Sequence, residues 1–392
     1  MYSKPDFIVF FKKIIAKTRM NNARTATILI ASSMLLMACS GGSNRPRPAD
    51  LGANPALVGV RQAWTLRVPA QVPGAAPAVV GNALALASLD GSVTVLDATS
   101  GREAWRGVAG SALATGAGFD GKVAAVVTQT NELVALDAGR EIWRSKITTQ
   151  AYTAPFVAGG RVFVLAADRS VTAFDGATGR KLWVQQRQSE PLVLRHGGTL
   201  LAVADTLVVG LAGRMVGLNP ATGVVRWEAP VASPRGTNDV ERLVDMVGRV
   251  SRVGDVVCAR AYQASVGCVN ANRGTLLWAR PANGAEGVHG DDRLVFGTEL
   301  DGKVIAWRKT DGERVWTSER LQHRGLSAPL VVGRSVVIGD DGGVVHLLSR
   351  EDGSALARLT TDSSGISAGP VLAGDTLVVT TRNGGVYGFA PE

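Results

Sequence analysis

A tryptophan returns at regular intervals along this chain of 392 residues, and a similar phrase precedes it each time. Residues 97–101 read Asp-Ala-Thr-Ser-Gly and lead to Trp105, and residues 175–179 read Asp-Gly-Ala-Thr-Gly and lead to Trp183. A repeat of about 40 residues is one supersecondary unit, and several units must share a core. The repeat therefore constrains the fold more than the chain length does. The seven tryptophans of the series, separated by 38 to 51 residues, are Trp64, Trp105, Trp143, Trp183, Trp227, Trp278 and Trp316.

Each unit divides into four short strands. In residues 77–105 an innermost strand begins at Pro77, and a second strand covers residues 83–87. Asp90-Gly91 is predicted to form a hairpin turn, because glycine tolerates positive φ. The turn leads to a third strand over residues 93–97. The turn at residues 99–101 then leads to an outer strand that contains Trp105. Four antiparallel strands of this kind form one blade of a β-propeller.

The last unit is incomplete, and this predicts how the ring closes. An eighth unit has Ala357 where the tryptophan is expected, and residues 370–389 then supply only three strands. Residues 60–66 can supply the missing outer strand, which removes an exposed sheet edge. We therefore predict an all-β, eight-bladed β-propeller over residues 56–392, with four-stranded antiparallel blades and the last blade closed by the N-terminal strand. A seven-bladed ring is the alternative, because the fourth unit is irregular.

The repeated tryptophans are interpreted as structural residues. Blades pack face to face, and the gap between them widens towards the rim. A large ring there buries roughly 200 Å², and its N–H can bond to a backbone carbonyl. We expect the glycine four residues earlier to let the turn bring the third strand onto the fourth. A substrate-binding cage of tryptophans is the less favoured interpretation.

The N-terminus resembles a bacterial lipoprotein signal. Residues 24–39 contain a basic residue, a short apolar run, small residues and then Cys39. The run is short for a membrane span. The resemblance implies a signal peptide over residues 1–38, lipidation of Cys39, and a flexible tether over residues 39–55. Ser40 after the cysteine favours the outer membrane by resemblance to known sorting rules. An ordinary signal peptide or plain anchor is the alternative, and translation could start at Met1 or Met20.

Charge and cysteine content narrow the function. The formal net charge is +9, but much of the excess lies in the predicted signal peptide, and no dense basic block with interleaved aromatics follows it. A nucleic-acid partner is therefore not expected. The four histidines lack metal-ligand spacing. Cys258 and Cys268 flank a predicted hairpin. A three-residue connection would set them opposite each other, whereas a two-residue turn would not. The sequence is therefore compatible with a disulfide and also with two buried thiols.

The phrase Asp-x-x-Thr-Gly-x-x-x-Trp resembles the docking phrase of quinoprotein-type propeller repeats, and variants of it cover residues 60–390. One family with this repeat is the pyrroloquinoline-quinone dehydrogenases. Membership would imply a quinone, a Ca²⁺ held by carboxylate and amide oxygens, and a catalytic Asp. This chain has no Cys-Cys pair, and its acidic residues lie mostly in turns, where Asp caps hairpins. The dehydrogenase remains an alternative, and we predict no catalytic residue, no cofactor and no metal.

The chain resembles the BamB family, the lipoproteins of the outer-membrane β-barrel assembly machinery, in its length, its lipoprotein signal, its tether and its repeats. The family's partner surface contains a Leu-x-Leu-Arg phrase, which here matches Leu192, Leu194 and Arg195. The resemblance implies that these side chains contact BamA, the central subunit. The alternative is that the two leucines begin the innermost strand of the fourth blade while Arg195 is solvated.

A second phrase of the family follows an Asp-Arg-Leu sequence, and its counterpart here is residues 241–247, with Arg242 and Asp245 as predicted contacts. The family has another acidic residue two positions after the one that corresponds to Asp245, and this chain has Val247 there. The resemblance implies a non-catalytic scaffold on the periplasmic face of the outer membrane. It would bind the periplasmic repeats of BamA, other assembly subunits and unfolded outer-membrane protein precursors. An envelope propeller that binds another ligand is a further alternative.

Overall fold

The computed structural model describes residues 46–186, 192–234, 237–239 and 242–392. The predicted signal peptide and Cys39 lie outside the described residues. Within them the chain forms thirty-two strands and no helix. The strands of blades 1 to 4 are β2 Ala78–Val80, β3 Ala83–Ala87, β4 Ser92–Asp97, β5 Glu103–Val108; β6 Gly118–Phe119, β7 Val123–Val127, β8 Glu132–Asp137, β9 Arg140–Lys146; β10 Phe156–Ala158, β11 Arg161–Leu165, β12 Val171–Asp175, β13 Lys181–Gln185; β14 Leu200–Val203, β15 Thr206–Leu211, β16 Arg214–Leu218 and β17 Val225–Pro230. Those of blades 5 to 8 are β18 Met246–Val253, β19 Val256–Ala261, β20 Ser265–Asn270, β21 Thr275–Pro281; β22 Val288–Gly290, β23 Leu294–Thr298, β24 Val304–Arg308, β25 Arg314–Ser318; β26 Leu330–Val332, β27 Ser335–Gly339, β28 Val344–Ser349, β29 Ala355–Thr360; β30 Val371–Ala373, β31 Thr376–Thr380, β32 Gly385–Pro391 and β1 Val60–Arg67.

The strands form eight four-stranded antiparallel sheets, and the sheets are the blades of an eight-bladed β-propeller. In seven blades the strands are adjacent in chain order, from the innermost to the outermost. The eighth blade has the order β1-β32-β31-β30, so the N-terminal strand supplies its outer edge. The predicted fold class and closure are therefore confirmed, and the seven-bladed alternative is wrong. The fourth unit has an irregular sequence but four regular strands.

Each blade buries both of its faces. In β3, Ala85 packs in a cluster shared with blade 2, whereas Leu84 packs in a cluster shared with blade 8. In β4, Val95 packs in the cluster shared with blade 2, and Leu96 packs in the cluster shared with blade 8. Alternate side chains of a strand point to opposite sides of the sheet, so short Val- and Ala-rich strands build two interblade cores at once.

In six of the eight blades, the glycine of the repeated phrase contacts the tryptophan of the preceding blade. The Trp278 indole N–H donates to the Lys309 carbonyl of blade 6 at 2.7 Å, and the ring lies where a side chain on Gly312 would be. Gly312 has a φ of +73°, so it also supplies the left-handed turn. The glycine has the role in the turn that the sequence predicted. Its contact with the tryptophan of the preceding blade was not predicted. The contact between the ring and the glycine occurs six times in the described structure, and the indole hydrogen bond accompanies it everywhere except at Trp227: Trp64–Gly101, Trp143–Gly179, Trp183–Gly223, Trp227–Gly274, Trp278–Gly312 and Trp316–Gly353.

The closing strand pairs in register over its whole length. β1 runs antiparallel to β32 from Val60 opposite Pro391 to Arg67 opposite Gly385, with one irregularity between Gln62 and Trp64. Trp64 then bonds through its indole N–H to the Ala98 carbonyl of blade 1 at 2.7 Å. The N-terminal strand thus joins blade 8 by its backbone and blade 1 by its tryptophan.

The residues just before β1 lie along the outer strand of blade 7. We call residues 48–59 the N-terminal strap. Arg324 donates two hydrogen bonds to the Ala49 carbonyl, at 2.6 and 3.1 Å, and Arg358 donates to the Gly52 carbonyl at 2.8 Å. The Leu57 N–H donates to the Leu356 carbonyl at 2.7 Å. The tether predicted over residues 39–55 therefore includes a part, from Ala49 onward, that is bonded to the propeller.

Blade 5 contains a disulfide between Cys258 and Cys268. The two residues are direct partners in the pairing of β19 with β20, which a three-residue connection joins from Ala261 to Ser265. The alternative with the offset turn is therefore wrong. Both cysteines are fully buried next to Trp278.

Candidate partner-binding surface

The two predicted contact segments lie in neighbouring blade connections. Residues 192–199 belong to the connection between β13 of blade 3 and β14 of blade 4, and residues 242–245 come just before β18 of blade 5. The innermost strand of blade 4 starts at Leu200, so the alternative that Leu192 and Leu194 begin that strand is wrong. Connections on a rigid scaffold are common places for binding residues.

Asp245 joins the two segments. Its carboxylate accepts a hydrogen bond from the Leu194 N–H at 2.9 Å and from the Arg169 guanidinium at 2.9 Å. Arg169 also donates to the Leu192 carbonyl at 3.1 Å. Asp245 and Arg169 are mostly buried, so this ion pair is screened less than a surface pair. The Asp245 carboxylate is thus directed at the protein, and it holds the Leu192–Leu194 backbone in place.

Arg195 is exposed and lies over an aromatic ring. Its guanidinium carbon is 5.8 Å from the centroid of the Tyr152 ring, at the outer limit of a cation–π contact. Leu192 is 39% exposed, and Leu194 is half-buried. The connection therefore presents a leucine and an arginine to solvent, with a second leucine partly covered between them.

The following residues fix the other end of the segment. His196 lies 3.7 Å from Glu286 of the connection between blades 5 and 6, and its Nδ1 is 3.0 Å from the Gly197 carbonyl oxygen. The Glu286 carboxylate raises the pKa of His196, against the effect of burial. The Gly197 carbonyl accepts a hydrogen bond from the Gly248 N–H at 2.8 Å. The segment is therefore tied to blades 5 and 6 as well as to blade 3.

A groove of about 670 Å³ opens beside Leu194. Its walls come from blades 4 and 5 and include Pro230, Val244, Tyr262 and Pro281. The lining is mainly apolar, which is the character of a surface that buries a partner's side chains. Leu194 thus belongs both to the predicted contact phrase and to the wall of a groove.

The structure separates the predicted contacts into two groups. Leu192, Arg195 and Arg242 are exposed, whereas Asp245 is turned inward, and Val247 is buried in β18 opposite Arg260. Sequence reasoning did not assign a role to Arg169. A signal was present, because Arg169 follows Asp168 at a hairpin where most other units have glycine, and its φ is +61°.

Two features are absent from the described part of the chain. No group of three or more His, Cys, Asp or Glu side chains there is arranged to hold a metal ion. No helix in the same ranges is long and apolar enough to cross a membrane.

Comparison with known proteins identifies the family. The model of the family described as outer membrane protein assembly factor BamB matches residues 59–117 and 89–318. The BamB of Burkholderia pseudomallei is 37% identical over 367 residues, which are 92% of this chain and 96% of the relative. This chain belongs to the BamB family. The BamB of Bordetella pertussis is 35% identical, with 95% of this chain and 98% of the relative covered.

Solved structures confirm the fold. The crystal structure of BamB from Moraxella catarrhalis superposes with a TM-score of 0.77 at 23% identity, covering 84% of this chain and 99% of that one. The quinohemoprotein alcohol dehydrogenase of Comamonas testosteroni superposes with a TM-score of 0.65 at 15% identity, covering 88% and 79%. The propeller is thus shared with BamB proteins and with enzymes, so the fold alone does not separate the two functions.

Proposed function

We propose that this protein is a non-catalytic scaffold lipoprotein that binds the periplasmic repeats of BamA through Leu192, Leu194 and Arg195. The observation that carries the proposal is the Leu-x-Leu-Arg phrase of a BamB-family chain, whose backbone is hydrogen-bonded at Leu192 and Leu194 and whose Leu192 and Arg195 side chains are exposed. The relatives are named outer membrane protein assembly factors, which supports a role in the same process.

The geometry of the segment supports binding energetically. A surface whose backbone is already ordered loses less conformational entropy when a partner binds. The Leu192 carbonyl and the Leu194 N–H are both held, by Arg169 and Asp245, while the Leu192 and Arg195 side chains stay available. Arginine is enriched at binding hot spots, and the groove beside Leu194 can receive an apolar side chain. Arg242 is exposed on the neighbouring connection and extends the proposed surface.

The proposal places the protein on the periplasmic face of the outer membrane. A lipid on Cys39 would anchor it there, since two or three acyl chains give stable attachment. Other assembly subunits and unfolded outer-membrane protein precursors are proposed further partners. In this arrangement the protein supplies a binding platform and performs no chemistry.

Substitution of the contact residues tests the proposal. We expect Arg195→Ala combined with Leu192→Ala to weaken co-purification of BamA from detergent-solubilised membranes by at least about tenfold, because hot-spot truncations cost roughly 2 kcal/mol or more. The matched control is Leu372→Ala with Arg180→Ala. Leu372 is also 39% exposed but lies on blade 8, and Arg180 lies in a turn at the opposite end of blade 3.

Undiminished recovery of BamA with the double variant would remove this surface from the proposal. Recovery of the chain with a different ligand would favour an envelope propeller of another kind. Dye reduction that depends on added pyrroloquinoline quinone and Ca²⁺ would favour the dehydrogenase.

Asp245 is expected to act by positioning the contact segment. Replacing Asp245 with alanine removes the acceptor of the Leu194 N–H, so hydrogen exchange at the Leu194 amide should become faster by roughly tenfold or more. Exchange of β31 in blade 8 serves as the internal control and should be unchanged. An unchanged rate at Leu194, measured by mass spectrometry or NMR, would show that Asp245 does not hold this segment.

A further inference from the structure

The innermost strand of blade 5 is irregular where it borders the central channel. β18 pairs with β19 at Val247 and again at Ser251, with a register shift between them. Residues 248–250 therefore leave the regular ladder, and Arg249 is the middle residue of this bulge. Bulges in sheets often redirect a side chain.

The residues around Arg249 come from the next blade. A side chain on Gly287 would lie only 2.4 Å from the Arg249 backbone nitrogen, so glycine permits the close approach of the two backbones. His289 follows on β22, the innermost strand of blade 6, and its Nδ1 accepts a hydrogen bond from the Val331 N–H of blade 7 at 3.1 Å. Because Nδ1 is an acceptor, the neutral ring carries its hydrogen on Nε2.

The charge of Arg249 is not balanced by the protein. Within the described ranges its guanidinium has no hydrogen bond or ion pair, and Nε2 of His289 has no acceptor. The surrounding protein lowers the pKa of Arg249 to about 10, with burial as the cause, so the side chain stays protonated at neutral pH. The Arg249 backbone packs against Gly287, two residues before His289, so both residues lie where blades 5 and 6 meet. Burial and then the charges of Arg249 and Lys309 lower the pKa of His289 to about 4.

We propose that Arg249 and His289 form a binding site for a small oxyanion, a carboxylate or a phosphate, at the central channel beside blades 5 to 7. A guanidinium can donate two parallel hydrogen bonds to either group, and the neutral imidazole adds one N–H. Arg249 is half-buried, and a half-buried cation without a counter-charge from the protein attracts an anion from solvent. The site goes beyond the proposed scaffold function and does not depend on it.

Calorimetry with simple anions tests the site. The full chain, purified in detergent and chloride buffer, is titrated with phosphate in one arm and with citrate in the other at constant ionic strength. We expect at least one of them to bind saturably at one site per chain. Arg249→Met should weaken that binding by roughly tenfold to a hundredfold, the effect of losing hydrogen bonds to a charged group. Arg252→Met is the matched control, because Arg252 lies on the same strand but is exposed and donates to the Ala202 carbonyl.

Lack of saturable binding of either anion, or equal affinity in the Arg249→Met protein, would overturn the proposal. The Arg249→Met protein should unfold at or above the temperature of the unsubstituted chain in chloride, since it loses only an unbalanced charge. If that variant does not fold, His289→Leu is used instead, with the same expected direction. Loss of affinity in His289→Leu supports the site, and unchanged affinity contradicts it.

Discussion

Replacing Glu299 with glutamine is expected to destabilise the propeller by about 3–5 kcal/mol, the cost of leaving a buried cation without its partner. The Arg260 guanidinium of blade 5 donates to the Glu299 carboxylate of blade 6 at 2.9 Å, and the two side chains are 0% and 8% exposed. Burial lowers the pKa of Arg260, and the charge of Glu299 opposes that shift. Urea unfolding followed by tryptophan fluorescence would measure the loss.

A surface pair provides the control for this prediction. Glu351 and Arg293 are 2.6 Å apart but more than half exposed, so Glu351→Gln should cost no more than about 1 kcal/mol. Nε and Nη1 of Arg260 have no hydrogen-bond partner in the described structure, so the buried pair is imperfectly satisfied. Adding Arg260→Met to Glu299→Gln should therefore restore much of the stability. Equal losses for Glu299→Gln and Glu351→Gln would contradict the argument.

Replacing Trp278 with alanine should cost about 3–5 kcal/mol, as for other large core side chains. The indole is 5% exposed, packs beside the Cys258–Cys268 disulfide, and fills the space above Gly312. Its removal leaves a cavity between blades 5 and 6 and takes away the donor to the Lys309 carbonyl. Chemical denaturation of the oxidised protein would give the free-energy change.

Trp105 is the matched control among the repeated tryptophans. The next blade has a shorter turn at residues 137–140 without Thr-Gly, and Gly139 lies against the backbone of Arg106 instead of an indole ring. Trp105 is also more exposed than Trp278. We expect Trp105→Ala to cost less than half as much. The interblade role of the repeated phrase is wrong if the two variants lose equal stability.

The strands and their number could be predicted because the signal is repeated. Each unit places Val- and Ala-rich runs between turn residues. The period of two within a run predicts a strand, and the period of about 40 along the chain predicts that the same set of strands recurs. The incomplete last unit also predicted the partner of the N-terminal strand, which β1 and β32 confirm. Local pattern and global closure thus agree, as expected of a sequence that specifies one fold.

Contacts between distant residues could not be predicted in the same way. The packing of Trp278 on Gly312 joins consecutive units, and no periodicity within a unit reveals it. The inward direction of Asp245 depends on Arg169, which is 76 residues away. An acidic residue in a predicted contact phrase is compatible with either direction, since only the tertiary structure supplies the cation that orients it.

The pairing of β1 with β32 has a consequence for how the molecule is made. Val60 and Pro391 are partners although they lie at the two ends of the propeller sequence, so this pairing brings together residues that are far apart along the chain. Before β1 and β32 pair, each strand has an exposed edge, and such edges are prone to pair with other chains. Because loop-closure entropy opposes pairing between residues distant in sequence, we expect ring closure to be a late step of folding.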